Sequence, residues 1–219
     1  MKSTVTIAAV VAIGTVFLSS NARAQNAGAA DDGAKKGASE AAADDSALTD
    51  QDRLMLETAK ALAADCIGKM ETWIRSNAIT EDKLFSYLYY PIPDTNPTKF
   101  HTDYDSLSDK EIQDILEKHL KASPDLLYAV MADKNGYVPT HNLKYTQPMT
   151  GDPAKDLAGN RTKRIYADKV GLAAARNTQP YLLQSYKRDT GQIMMDLSVP
   201  ITIDGRHWGN VRLGYIKAQ

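Results

Sequence analysis

Residues 192–216 read QIMMDLSVPITIDGRHWGNVRLGYI. Two runs rich in apolar and β-branched residues flank Asp204-Gly205, a pair that tolerates the positive φ of a two-residue hairpin turn. The stretch predicts two antiparallel strands, 192–203 and 207–216. YLLQSYK (181–187) predicts a third, joined through Asp189-Thr190-Gly191. Asp196 stands out, because it shares a strand face with Met194 and Ser198. A carboxylate in a buried strand needs a partner. Arg161 or Arg164 could supply it, either as a structural brace or as part of a ligand contact.

Upstream, LLYAVMA (126–132) reads as a short apolar strand ending at Asp133. Asn135-Gly136 is a strong hairpin signal and predicts a return strand, YVPTH (137–141). Pro139 has no N–H to give a ladder, which moves that strand to an edge. His141 then falls where the chain leaves the sheet, as a ligand-contacting rim or an ordinary strand exit. Residues 143–179 form a helical insertion, in which Asp152-Pro153 resembles a helix start. The segment GNRTKR (159–164) is its most suggestive polar cluster. Placed at a helix start, Arg161, Lys163 and Arg164 could hold a carboxylate or phosphate. They could equally pair with Asp152, Asp156 and Asp168. Asn160-Arg161-Thr162 fits a glycosylation sequon, a weak signal.

Towards the N-terminus, 49–77 reads as one long helix, with Thr49 and Asp52 forming its capping box. Leu56, Ala59, Ala63, Ile67, Met70 and Ile74 mark its apolar stripe, and Cys66 and Trp73 broaden it. That stripe packs on a core or on its twin in a homodimer. Residues 80–88 predict a short helix, and 89–105 an aromatic, proline-broken strap across the surface. Ser108-Asp109-Lys110-Glu111 predicts a capping box, followed by an amphipathic helix through Ile112, Ile115, Leu116 and Leu120. The expected architecture is α+β: a long N-terminal helix packed on a five-stranded antiparallel sheet, with the insertion covering one face and a pocket between them.

The chain has 219 residues. Lys2, the apolar run 5–18 and Ala22-Arg23-Ala24 predict a cleaved signal peptide over residues 1–24, and hence a periplasmic or secreted protein. Its removal takes Lys2 and Arg23 and no acidic residue, moving the formal net charge from −1 to −3. Nothing in that charge suggests a nucleic-acid partner. Residues 25–47 carry no Leu, Ile, Val or aromatic residue and predict a flexible linker before the domain at 48–219. Catalytic motifs are missing from the inventory. There is no G-x-S-x-G elbow, no phosphate loop, no H-E-x-x-H and no C-x-x-C-H. His101, His119, His141 and His207 are too dispersed for a dedicated metal site. No enzyme, metal or cofactor is expected. Non-covalent haem on His or Met ligands stays as a variant, as does an Asp196–His141 acid/base pair.

Four blocks carry a resemblance: YYPIPDTNPTKFHTDYD (89–105), ADKNGYVPTHN (132–142), QPMTGDPAKDLAGNRTKRIY (147–166) and LLQSYKRDTGQIMMDLSVPITIDGRHWGNVRLGYI (182–216). In this order they resemble the extracytoplasmic sensor region of bacterial methyl-accepting chemotaxis receptors, a Cache domain related to PAS domains. The resemblance implies a PAS-like sheet and a pocket for a small polar or anionic metabolite. Within the matching blocks the candidate pocket residues are His141, Asn142, Arg161, Arg164 and Asp196, with Tyr181 and Tyr186 beside them. A chemoreceptor continues into a membrane span and a cytoplasmic signalling helix pair, whereas this chain stops at Gln219. Output would then pass through a membrane receptor partner. The alternative is a periplasmic accessory or dimerisation protein that binds no ligand.

Overall fold

The computed structural model describes residues 39–41, 47–187 and 193–217. The expected signal peptide, most of the expected linker and the Asp189-Thr190-Gly191 turn lie outside the described residues.

Helix α1 runs Asp50–Arg75. Thr49 and Asp52 form the expected reciprocal cap, and Asp50 and Asp52 place negative charge at its N-terminus. Asn77 follows its C-terminus at φ 56°, and the Ala78 N–H bonds back to Trp73 O at 2.9 Å. Its buried stripe is Met55, Leu56, Ala59, Leu62, Ala63, Cys66, Met70 and Trp73. Ile67 and Ile74, read as part of the stripe, are only partly buried. Helix α2 (Glu81–Leu84) is one turn, shorter than the 80–88 expected. Its last carbonyl, Leu84 O, accepts from the Trp208 indole at 2.9 Å, and the Arg206 guanidinium covers the Phe85 ring at 3.9 Å.

The aromatic strap folds into a hairpin of β2 (Tyr90–Ile92) and β3 (Lys99–His101). Helices α3 (Asp105–Glu111) and α4 (Gln113–Leu120) follow. Ser108 is not the helix start that its spacing suggested. It lies inside α3, fully buried, with its hydroxyl donating back to Tyr104 O at 2.9 Å.

Strand β4 is Leu126–Asp133. The expected return strand does not join it. Tyr137–Val138 (β5) pairs instead with Arg164–Ile165 (β6) in a separate two-stranded ribbon. The turn chemistry explains this. Asp133 Oδ1 accepts the N–H groups of Asn135 and Tyr137 at 2.9 and 3.0 Å, and Gly136, at φ +82°, is the turn residue in the left-handed region. A Cβ on Gly136 would overlap Tyr166 O, so the glycine also lets the ribbon close. The insertion continues with α5 (Pro153–Gly159), capped by Asp152 as expected, and α6 (Lys169–Arg176). GNRTKR therefore follows α5 and enters β6, rather than starting a helix.

Strands β7 (Leu182–Lys187), β8 (Ile193–Ile203) and β9 (Arg206–Ile216) complete the antiparallel sheet. Its four long strands run β7-β8-β9-β4, and β1 (Ser39–Ala41), from the expected linker, pairs along the outer edge of β7. Helix α1 packs on one face of β8 and β9, and the main core fills that layer with Leu197, Val211, Leu213, Trp208 and Tyr215. On the other face Val138 of β5 and Tyr166 of the insertion pack on Val130, Ala132 and Tyr128. Among the described residues no helix is long and apolar enough to cross a membrane.

Candidate functional site

Alternation along β8 sends Met195, Leu197, Val199, Ile201 and Ile203 into the core under α1. Asp196 and Ser198, both fully buried, face the insertion. Strand β9 matches this alternation through a bulge. The ladder starts with Ile203 opposite Arg206 and Thr202 opposite His207, but Ile201 then faces Gly209. Trp208 is the extra residue. The slip places Arg212 opposite Ser198, on the face of Asp196. An unbroken register would put Arg212 opposite Leu197, pointing at α1.

Arg212 grips Asp196, with Nη2 donating to Oδ2 at 2.6 Å and Nε donating to the same oxygen at 3.2 Å. The Tyr128 hydroxyl of β4 donates to that carboxylate too. Gly214 lies opposite both Asp196 and Tyr128, and any Cβ there would overlap the Tyr128 ring. The missing side chain lets the phenol lie across β9. Burial opposes the charge on Arg212, but the Asp196 carboxylate outweighs it and raises the guanidinium pKa. Burial, followed by the Asp196 charge, pushes the Tyr128 phenol well above its usual range, so it stays a donor. The expected partners of Asp196, Arg161 and Arg164, are replaced in this role by Arg212.

Above this brace sits His141, 5% exposed, between the rings of Tyr128 and Tyr145 at centroid distances of 6.3 and 4.8 Å. Its Nδ1 accepts the Asn142 N–H at 2.8 Å. Burial first, then the positive charges of Arg161, Lys144, Arg164 and Arg212, hold its pKa well below the usual imidazole range. It is neutral at pH 7. Arg161 lies over the Tyr145 ring at 5.0 Å and its Nε donates to Ala158 O at 3.3 Å. Arg164 is buried, lies over the Tyr166 ring at 5.1 Å and donates to Leu157 O at 3.2 Å. Among the described residues no carboxylate pairs with Arg164. The β5–β6 ribbon fixes its place, since Arg164 stands opposite Val138.

Helix α6 covers the rest of the polar face. Gln184 Nε2 donates to Val170 O at 3.0 Å and Asn210 Nδ2 donates to Asn177 O at 3.2 Å. A ring nitrogen of His207 bonds Ala175 O at 3.1 Å. Asn210 and His207 thus serve carbonyls at the C-terminal end of α6, which its own ladder leaves open.

The structure brings His141, Arg161, Arg164 and Asp196 to one seam between sheet and insertion. Tyr186 stands on the Asp196 face of β7, opposite Met194. Asn142 is a brace beside the seam: its Oδ1 accepts the Ala129 N–H at 2.8 Å and its Nδ2 donates to Glu117 at 3.1 Å. Tyr181 lies apart, in the core that α1 covers. Tyr128, Tyr145, Tyr166, Lys144 and Arg212 are seam residues that sequence reasoning missed.

The seam offers cations, phenols and a neutral imidazole. Cys66 is remote from it on α1, and burial raises its thiol pKa, which leaves it unreactive. Asp196 is engaged by Arg212 and Tyr128, and His141 Nδ1 by its own neighbour's N–H. Among the described residues no group of three or more His, Cys, Asp or Glu gathers as a metal site. No family model matches this chain, and no curated protein or solved structure is detectably similar to it.

Proposed function

We propose that this chain is a small-molecule sensor module of the Cache, PAS-like type, and that it holds an anionic metabolite, a carboxylate, in the seam between sheet and insertion. One observation carries the reading. Arg164 lies buried near the neutral His141 and pairs with no carboxylate among the described residues, whereas Arg212, the other buried cation there, is joined to Asp196. Buried cations ordinarily have partners. A carboxylate bound by Arg164 would supply one through a forked, charge-assisted bond. The strand order supports the PAS-like part. Counting β4, β5, β7, β8 and β9 as first to fifth along the chain, the long strands lie third, fourth, fifth, first. The short second one, β5, turns off beside the first.

The role that follows is reception of a chemical signal outside the cytoplasm, passed to a membrane partner, with no chemistry done on the ligand. A thermal-shift screen of the purified protein against mono- and dicarboxylates, with amines and purines as controls, tests it. A ligand at 100 times its Kd adds about 2.7 kcal/mol. For a domain of this size that is a rise in Tm of roughly 5–10 °C. The expected result is a carboxylate hit that Arg164→Gln abolishes. A screen silent for every carboxylate, or a hit indifferent to Arg164→Gln, would count against the reading. Asp196→Ala is the wrong probe, because it strands Arg212 as a buried unpaired charge and costs about 3–5 kcal/mol of stability.

A further inference from the structure

The two sides of β7 are unequally covered. On its inner side β7 pairs with β8 along its whole length, from Leu182 opposite Ser198 to Lys187 opposite Ile193. On its outer side β1 supplies three pairs: Ser39 opposite Ser185, Glu40 opposite Gln184 and Ala41 opposite Leu183. Three of the six residues of β7 thus stand in that outer ladder. The two strands also differ in chemistry. LLQSYK holds two leucines, a tyrosine, no proline and one charge, Lys187 at its end. Proteins blunt edges of this kind with charges, prolines or bulges, because open N–H and C=O groups template another chain. SEA holds no β-branched or aromatic residue, and Glu and Ala are types that strands disfavour. In place of a blunted edge, β7 has a short cover made of poor strand formers.

We infer that β1 is a removable guard, and that the outer edge of β7 is an interaction surface for a second copy of this chain, joined β7 to β7. Nothing in this depends on what the seam binds. A two-fold axis through Gln184 makes the strand its own complement. Leu183 of one copy then faces Ser185 of the other on the α1 side, where Leu183 already packs against the core. On the seam side Leu182 faces Tyr186, a favourable aromatic–aliphatic cross-strand pair. The two Lys187 residues come to lie roughly six rungs apart, or about 20 Å, well beyond the ~8 Å screening length of physiological salt. The pairing spans Leu182 to Tyr186 in each copy, longer than the three-residue cover of β1. Because the axis is perpendicular to the sheet, both copies keep α1 on the same side of the joined sheet.

Concentration decides which pair forms. A strand tethered to its own domain competes at an effective concentration of about millimolar. At micromolar protein, a short cover therefore holds the edge against a better-matched second copy. Once β1 is unseated, that advantage disappears and the β7 pair forms.

Sedimentation velocity on the intact protein tests this with the double substitution Glu40→Pro and Ala41→Pro. Alternate residues of a paired strand point their N–H at the neighbour, so one of the two prolines removes a ladder donor in either register. Both positions precede α1, which leaves the core as it is. From micromolar to hundreds of micromolar protein, the variant should gain a species of twice the wild-type mass. Adding Ser185→Lys should abolish that species, since a lysine on an edge strand discourages pairing. Hydrogen exchange gives a second measurement: in the proline variant, β7 amides should lose protection at low concentration and regain it at high concentration. A proline variant that keeps the wild-type mass throughout would overturn the pairing of copies and leave the edge to a partner of different sequence. Doubled mass that Ser185→Lys does not reverse would overturn β7 as the contact. Exchange in β7 that the prolines leave unchanged would overturn β1 as its guard.

Discussion

Asp52 is almost sealed from solvent, yet it remains a carboxylate. Tyr215 donates to it at 2.5 Å, the Thr49 hydroxyl at 2.7 Å and the Thr49 N–H at 3.0 Å. Burial works against the charge, but these bonds prevail and lower the Asp52 pKa. The residue ties the start of α1 to the end of β9. Its folded pKa lies below its unfolded one, so its contribution is present above about pH 4, the unfolded value, and is lost as pH falls through the folded pKa. Asp52→Asn should cost about 2 kcal/mol at pH 7, and the gap to wild type should close on acidification. Urea titrations at pH 7 and pH 3 measure both. Lys99 behaves in the opposite sense. Its ammonium is buried against Asn160 Oδ1 and Thr162 O, and burial, then Arg164 and Lys163, push its pKa down to about 8. The folded state therefore binds fewer protons than the unfolded one between about pH 8 and pH 10, and stability attributable to Lys99 rises across that window. The difference in unfolding free energy between wild type and Lys99→Met, followed from pH 7.5 to 9.5, should grow with pH; a flat difference would sink the assignment. At Gly214, an alanine would drive its Cβ into the Tyr128 ring. Gly214→Ala should destabilise by about 2 kcal/mol or more, read as a drop in the urea midpoint at unchanged m.

At the scale of elements, the difference between what the sequence discloses and what it conceals is a difference of range. Helix α1 was legible because cap and stripe are local: Thr49, Asp52 and the spacing from Leu56 to Met70 lie within one segment. The β8–β9 hairpin was legible for the same reason, since Asp204-Gly205 adopts the two positive φ values its turn requires. Arg212 was not. Counting from that turn places Arg212 on the α1 face, and only the bulge at Trp208 brings it to Asp196. The β5 strand misled because the Asp133 carboxylate, not the Asn135-Gly136 pair alone, decides where the chain goes. Ser108 misled because a capping-box spacing also occurs inside a helix, where its hydroxyl bonds the preceding turn. One element-level consequence is testable. Asn142 closes the outer edge of β4 by accepting the Ala129 N–H and links it to α4 through Glu117. Asn142→Ala leaves that buried N–H unpaired and should cost about 1–3 kcal/mol. Hydrogen exchange should localise the loss to Ala129 and its neighbours.

The whole molecule is a sheet with two unlike sides. One side is apolar and closed by α1, and the other carries Asp196, Ser198, Asn210 and Arg212 beneath the insertion. Stability resides mainly in the first, and the binding chemistry proposed here in the second. Ligand should accordingly protect α6 and the β5–β6 ribbon from hydrogen exchange far more than it protects α1, an outcome that uniform protection would contradict. The bulge at Trp208 gives this division a further meaning. Along a strand, which side chain meets which layer is a matter of counting by twos, so β9 has in effect a reading frame, and Trp208 sets it. Loss of that one residue would exchange the two messages downstream: Val211 and Leu213 would be delivered to the seam, and Asn210 and Arg212 to the oily layer. Substitution of Arg212 or Ser198 changes only what the seam presents, but an insertion or deletion between Arg206 and Asn210 is a frameshift written in three dimensions, and it erases seam and fold together.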